Sequence, residues 1–251
     1  MNASALSSSR APDPFAHPLA HSGDDVDPQE LAAVNAALSG RLGPRLKLGA
    51  RALRKILSDP EDTRQVFTLF LTLNAEQIPK FRARFLAEPN GPALMAERPA
   101  IDSRSVDFDA LGRLPADTLG GAFARHLTAN GLSPDIFKAP PGVPAEIAYL
   151  GQRMRQSHDI WHVLTGYTTA VDDELALLAF SHGQSKMPGP AVLASVGAIR
   201  FFPRYPGVFR KVLDGYRRGR DARSLLTVRW EELWQTPLAE VRARYGIRPA
   251  A

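Results

Sequence analysis

The segment His158 to Glu174, HDIWHVLTGYTTAVDDE, sets two imidazoles four residues apart. An aspartate directly follows the first, and a glutamate lies twelve residues beyond the second. Side chains at i and i+4 stand one above the other on a helix, so His158 and His162 can converge on one point. Two neutral imidazoles with one or two carboxylates suit zinc, and also iron or manganese, with positions left open for water or substrate. An open-sided divalent ion polarises a carboxylate or phenolate, or activates water. The histidine spacing is that of helical zinc proteases, but those require Glu directly after the first His, where this chain has Asp159. The same residue types also serve as hydrogen-bonded polar groups of a core helix, and spacing alone leaves both readings open.

A helix must position the pair. Ile147, Leu150, Met154, His158, Trp161 and His162 follow one another at intervals of 3, 4, 4, 3 and 1, the apolar stripe of an amphipathic helix with both histidines on it. Asp159 is rotated by about 100° from His158. It can ligate from the edge of that face, or orient an imidazole. Glu174 would sit about 160° away if the helix simply continued. A break near Gly166 is therefore required. Thr168 or Thr169 is expected to cap a second helix with Asp172 and Asp173 in its first turn, and antiparallel packing would bring Glu174 over the histidines. The site spans a helix-turn-helix hairpin.

The 251 residues contain no cysteine, which excludes disulfides and thiolate ligands and suits a reducing cytoplasm. The apolar share of 44% and charged share of 23% are those of a globular chain. The net charge of +5 is unevenly spread: 12 Lys/Arg face 5 Asp/Glu between Arg200 and Arg248, while the first 30 residues hold 5 acids and one base. A basic C-terminal third can meet anionic lipid or acidic substrates, or consist of solvated helix faces. No zinc-finger, RNP-type or helix-turn-helix DNA-binding pattern points to nucleic acid. No apolar run approaches the ~20 residues of a membrane span, and the best, AVLASVGAIRFF, is interrupted by Arg200. A soluble protein, or one resting on a membrane surface, is expected.

Residues 1–27 read as a disordered tail, and residues 28–251 as a single all-α domain. Helix starts are expected at Asp27-Pro28-Gln29-Glu30 and at Asp59-Pro60-Glu61-Asp62, the second followed by Val66, Phe67, Phe70 and Leu73. Glu88 to Pro115, broken by prolines, reads as a long connection. Further helices are expected over about 118–130, closed by Gly131, then 144–165, 169–183, 207–217, 230–234 and 237–245, with SLLTVRW as a short extended piece.

The spacing His158-Asp159-x-x-His162, eleven residues, Glu174 resembles the signature of the coenzyme Q biosynthesis protein 4 family. LPADTLGGAFARHLTANGLSP, AYLGQRMRQSHDIWHVLTGY, DELALLAFSHGQ and VRWEELWQTPLAEVRARYGI are similar to its flanking segments, so the likeness covers roughly residues 45–247. The resemblance implies an all-helical protein that binds a divalent metal, usually zinc, through His158, Asp159, His162 and Glu174, which would also be its catalytic residues. It implies a part in ubiquinone assembly, in oxidative decarboxylation at ring C1 of a polyprenylated 4-hydroxybenzoate. The implied partners are isoprenoid lipids, other ubiquinone-biosynthesis enzymes and the inner face of a cell membrane, and a homo-oligomer is a further expectation. The family commonly carries Gly before the glutamate, where this chain has Asp173.

Trp161, Val163, Leu164, Leu177, Leu178, Val192, Leu193, Val196, Phe201 and Phe202 can line a channel for the lipid tail, or be plain core. FFPRYPGVFRK, with aromatics beside Arg204, Arg210 and Lys211, is similar to an interfacial membrane contact, and also to an ordinary loop with a basic rim. Two rivals stand beside the enzyme: a non-catalytic lipid carrier or scaffold, and a His-Asp phosphohydrolase that would recruit His126 and Asp214.

Overall fold

The computed structural model describes residues 42–58, 69, 72–135 and 144–250. Among them the chain is all-α. We number its helices α1 Leu42–Ser58, α2 Ile78–Ala87, α3 Gly91–Glu97, α4 Phe108–Arg113, α5 Leu119–Asn130, α6 Ala145–Thr165, α7 Val171–Ser185, α8 Pro188–Phe201, α9 Val208–Asp221 and α10 Leu238–Tyr245, with a 3-10 turn at Trp230–Glu232. No strand occurs among the described residues, and SLLTVRW runs as irregular chain into the 3-10 turn rather than as an extended piece. The expected tail and the helix start at Asp27 lie outside the described residues, as does most of the helix expected from Asp59.

Local rules account for most boundaries. Thr118 caps α5 by accepting from the Gly121 amide at 3.2 Å, and Gly131 ends it with φ 63°. Gly166, at φ 76°, ends α6, and its amide donates to the His162 carbonyl. The start of α7 departs from expectation, because Ala170 holds the capping position without a side-chain bond. Instead Asp173 reaches back and accepts from the Thr168 amide at 2.9 Å and its hydroxyl at 2.6 Å. The segment from Glu88 to Pro115 is not one long connection. Pro92 stands in the first turn of α3, where its missing N–H has no intrahelical partner in any case, and Asp107 caps α4 by accepting from the Ala110 amide at 2.8 Å. Helices α1, α2 and α8 were not anticipated.

Ile160, Trp161 and Leu164 of α6 are fully buried with Ala176, Leu177 and Phe180 of α7, Phe123 and Leu127 of α5, and Trp230. Leu178 and Leu193 belong to a second cluster around Ala52 and Leu69, and Phe201 packs with Leu175, Ala198 and Val208 in a third. The residues offered as channel walls therefore divide among separate clusters, and Phe202 is exposed.

The C-terminal segment closes the end of α6. Arg242 donates to the Leu164 and Val163 carbonyls, both at 2.9 Å, and the Ala250 amide donates to Thr165 at 2.6 Å. These carbonyls have no partner within the helix, so residues far along the chain satisfy them. The last turn of α6, which carries His162, is held in place as a result.

Candidate metal centre

His158 and His162 occupy the last two turns of α6, and Glu174 the first turn of α7. Oε1 of Glu174 lies 3.0 Å from Nε2 of His162, and Oε2 lies 3.5 Å from Nε2 of His158. One carboxylate thus faces both imidazoles. His158, Asp159 and His162 also bring one ligand atom each within 4.8 Å of one another. Ligands about 2.1 Å from a tetrahedral ion are separated by roughly 3.4 Å. The His–Glu separations are of that size.

The tautomer of His162 sharpens the point. Its Nδ1 lies 3.0 Å from the Tyr167 carbonyl oxygen, an atom that can only accept, so Nδ1 carries the hydrogen. In a neutral ring the Nε2 lone pair then points at a carboxylate oxygen. Two acceptors share a 3.0 Å separation only with a proton or a metal cation between them. The donor set fits a divalent ion as well as a shared proton, and the backbone bond to Tyr167 is the support that ligating histidines ordinarily have.

A proton can take the same bridging position. Burial works against the imidazolium of His162, but Glu174 overrides it and raises the pKa. Burial lowers the pKa of His158 against the opposing pull of Glu174. Burial alone would raise the Glu174 pKa, yet the two histidines hold it far below the usual carboxylate range. Asp159 is likewise kept ionised, chiefly by Arg155, whose Nη1 is 2.5 Å from Oδ1.

Asp173 is committed elsewhere: besides Thr168, it pairs with Lys211 Nζ at 2.5 Å, while Asp172 meets the same amine at 2.6 Å. Asp214 is paired with Arg218 at 2.5 Å, so the phosphohydrolase pairing of His126 with Asp214 has no support. His126 does reach the centre, but by stacking on His162, with centroids 5.1 Å apart and planes 25° from parallel. Its pKa is pushed down to about 4, by burial first and then by the neighbouring His162, so it is neutral at ordinary pH.

The family model described as "Coenzyme Q (ubiquinone) biosynthesis protein Coq4" matches residues 42–251, and so covers the centre and everything that supports it. The chain belongs to this family. Coq4 family relatives named as mitochondrial ubiquinone biosynthesis proteins include one from Laccaria bicolor, 30% identical over 76% of this chain and 65% of its own length. Another, from Pyricularia oryzae, is 32% identical over 68% of this chain and 58% of its own length. A Coq4 homologue from Xenopus laevis is 30% identical over 88% of this chain and 82% of its own. The chain therefore spans less than two thirds of these two fungal relatives and most of the amphibian one. The crystal structure of a protein from Nostoc punctiforme, described as a candidate ubiquinone biosynthesis protein, superposes with a TM-score of 0.66 at 28% identity, covering 80% of this chain and 97% of that one.

Within this Coq4 family chain, Glu174 stands against both histidines, and Asp159 forms a close group of ligand atoms with the same two. The Tyr167 carbonyl and the His126 ring were not foreseen as parts of it. Arg155 carried a legible signal, since it stands four residues before Asp159. His126 carried none, because it lies on a separate helix.

Proposed function

We propose that this Coq4 family protein catalyses oxidative decarboxylation at ring C1 of a polyprenylated 4-hydroxybenzoate, with a divalent metal held by His158, His162 and Glu174 and with Asp159 as a fourth ligand or as the group that orients an imidazole. The Glu174 carboxylate facing Nε2 of His162 at 3.0 Å and Nε2 of His158 at 3.5 Å is the observation that carries the reading. The donor set of two imidazoles and two carboxylates suits zinc first, with iron or manganese as alternatives. When bound, such an ion supplies Lewis acidity toward the ring carboxylate or the adjacent phenolic oxygen.

The chain's own part is to hold and orient. Glu174 bridges the two imidazoles, the Tyr167 carbonyl fixes the His162 ring, and Arg155 holds one oxygen of Asp159. The first turn of α7 contributes the positive end of its helix dipole to the buried Glu174 carboxylate. In the overall reaction the bond from C1 to the carboxyl carbon breaks and carbon dioxide leaves. One atom of dioxygen becomes the new hydroxyl. The other leaves as water, with two protons and two electrons drawn from an external reductant.

A membrane surface is the proposed workplace, shared with other ubiquinone-biosynthesis enzymes. Ile199, Phe202, Phe209 and Leu213 are exposed around the junction of α8 and α9, next to Arg200, Arg204 and Arg210. Apolar side chains rimmed by arginines suit the boundary between acyl chains and phosphates. No described helix is long and apolar enough to cross a membrane.

The test supplies metal-loaded protein with a carboxyl-labelled prenylated 4-hydroxybenzoate, dioxygen and a two-electron donor. Release of labelled carbon dioxide that disappears in Glu174→Gln is the expected result. Tight lipid binding without turnover under zinc, iron and manganese would replace the enzyme by a carrier.

A further inference from the structure

The Nε2 atom of His126 is buried and has no hydrogen-bond partner among the described residues. Folded chains seldom leave such a group without an acceptor. The surroundings also determine which ring nitrogen carries the hydrogen. The side-chain amide nitrogen of Asn130 donates to the His126 carbonyl at 2.8 Å, and the amide oxygen accepts from the Thr169 hydroxyl at 2.9 Å. Because a carbonyl can only accept, the amide end facing His126 is its nitrogen. That nitrogen stands 3.4 Å from Nδ1 of the same ring, which is therefore the acceptor nitrogen. The hydrogen resides on Nε2.

The result is a buried N–H donor on a ring stacked against His162. A metal ligand needs a lone pair, and Nε2 does not offer one in this tautomer. What an N–H donor beside a metal centre accommodates is an oxygen atom.

We propose that His126 is a substrate-binding residue whose Nε2–H donates to a carboxylate or phenolate oxygen of an aromatic acid bound at the metal centre. This rests on the metal-centre reading above and adds a recognition group from α5 to it. Asn130 acts through His126, as a positioning residue that holds the donor tautomer.

The full chain loaded with Co(II) provides the test, with 4-hydroxybenzoate titrated against the visible absorption of the metal. His126→Phe should bind Co(II) with the stoichiometry of the unaltered protein, yet bind 4-hydroxybenzoate roughly tenfold more weakly or worse, as expected for loss of a hydrogen bond to a charged oxygen. His126→Gln retains an N–H donor and should recover most of the affinity. Asn130→Leu, which leaves the His126 ring in place, should weaken the same probe severalfold.

Equal affinity in unaltered protein and His126→Phe at equal Co(II) content would overturn the proposal. Loss of Co(II) from a natively helical His126→Phe would also overturn it, by making His126 a ligand. If His126→Phe does not fold, unchanged affinity in Asn130→Leu overturns it instead. Failure of the unaltered protein to take up Co(II) removes the metal centre itself, an outcome seen before any variant is made.

Discussion

Gly215 of α9 lies against the carbonyl oxygen of Ala176 in α7, so near that a Cβ at Gly215 would stand 2.2 Å from that oxygen. One turn on, a Cβ at Gly219 would stand at the same distance from the Phe180 carbonyl. Backbone thus meets backbone along two turns of both helices, and Ala176 is two residues from Glu174. Gly215→Ala should push α7 away from α9, destabilise the fold by about 1–3 kcal/mol, and lower metal content by displacing Glu174. Denaturant unfolding together with elemental analysis checks both parts.

Glu174 and Asp159 should differ in their effect on metal. Glu174 faces both imidazoles, whereas one oxygen of Asp159 is held by Arg155. Glu174→Gln, His158→Ala and His162→Ala are expected to lose stoichiometric metal while remaining helical. Asp159→Asn should keep the metal with affinity reduced about 10- to 100-fold, the effect of losing a supporting rather than a principal group. Full occupancy in Glu174→Gln, His158→Ala and His162→Ala would refute the site.

Arg153 fastens the 3-10 turn to α6. Its side chain is 1% exposed, makes a two-pronged contact with Glu231 and donates to the Val228 carbonyl at 2.7 Å. One turn further on, Trp230 Nε1–H donates to the Ser157 hydroxyl at 3.0 Å. Arg153→Met removes the cation and leaves acceptors behind, so a loss of about 3 kcal/mol is expected in thermal or denaturant unfolding.

Asp102 makes part of the acid sensitivity. It accepts from the Arg104 and Ser105 amides, both at 3.1 Å, and from the Arg104 side chain at 2.9 Å. Burial alone would raise its pKa, but these bonds prevail and lower it below the ordinary 3.8. A carboxyl group depressed on folding stabilises at pH above its unfolded value and loses that contribution as pH falls through the folded one. The unaltered protein should therefore lose stability below about pH 4, and Asp102→Asn should be less stable at neutral pH with a shallower acid limb. Midpoints measured from pH 7 to pH 3 test the sign.

The exposed rings of Phe202 and Phe209, 5.4 Å apart by centroid, predict a membrane phenotype. Phe202→Asp combined with Phe209→Asp should reduce sedimentation with anionic phospholipid vesicles and leave metal content unchanged. Equal sedimentation would move the contact elsewhere.

Features that depend on a dozen neighbouring residues were readable in advance. The apolar stripe from Ile147 to His162, the break at Gly166 and the stop at Gly131 arise from helical periodicity and from hydrogen bonds within one or two turns. The four candidate ligands belong to that class too, because α6, a short turn and α7 carry them all. Proline misled the reading of Glu88 to Pro115, since Pro92 opens a helix as readily as it interrupts one. Other features required distant segments to meet. His126 stacked on His162, Arg242 on the end of α6, and Gly215 against Ala176 each join separate helices. Local sequence encodes how a helix begins, ends and turns its faces. Which faces meet depends on how the whole core packs, and that is where His126 and the placement of Glu174 were decided.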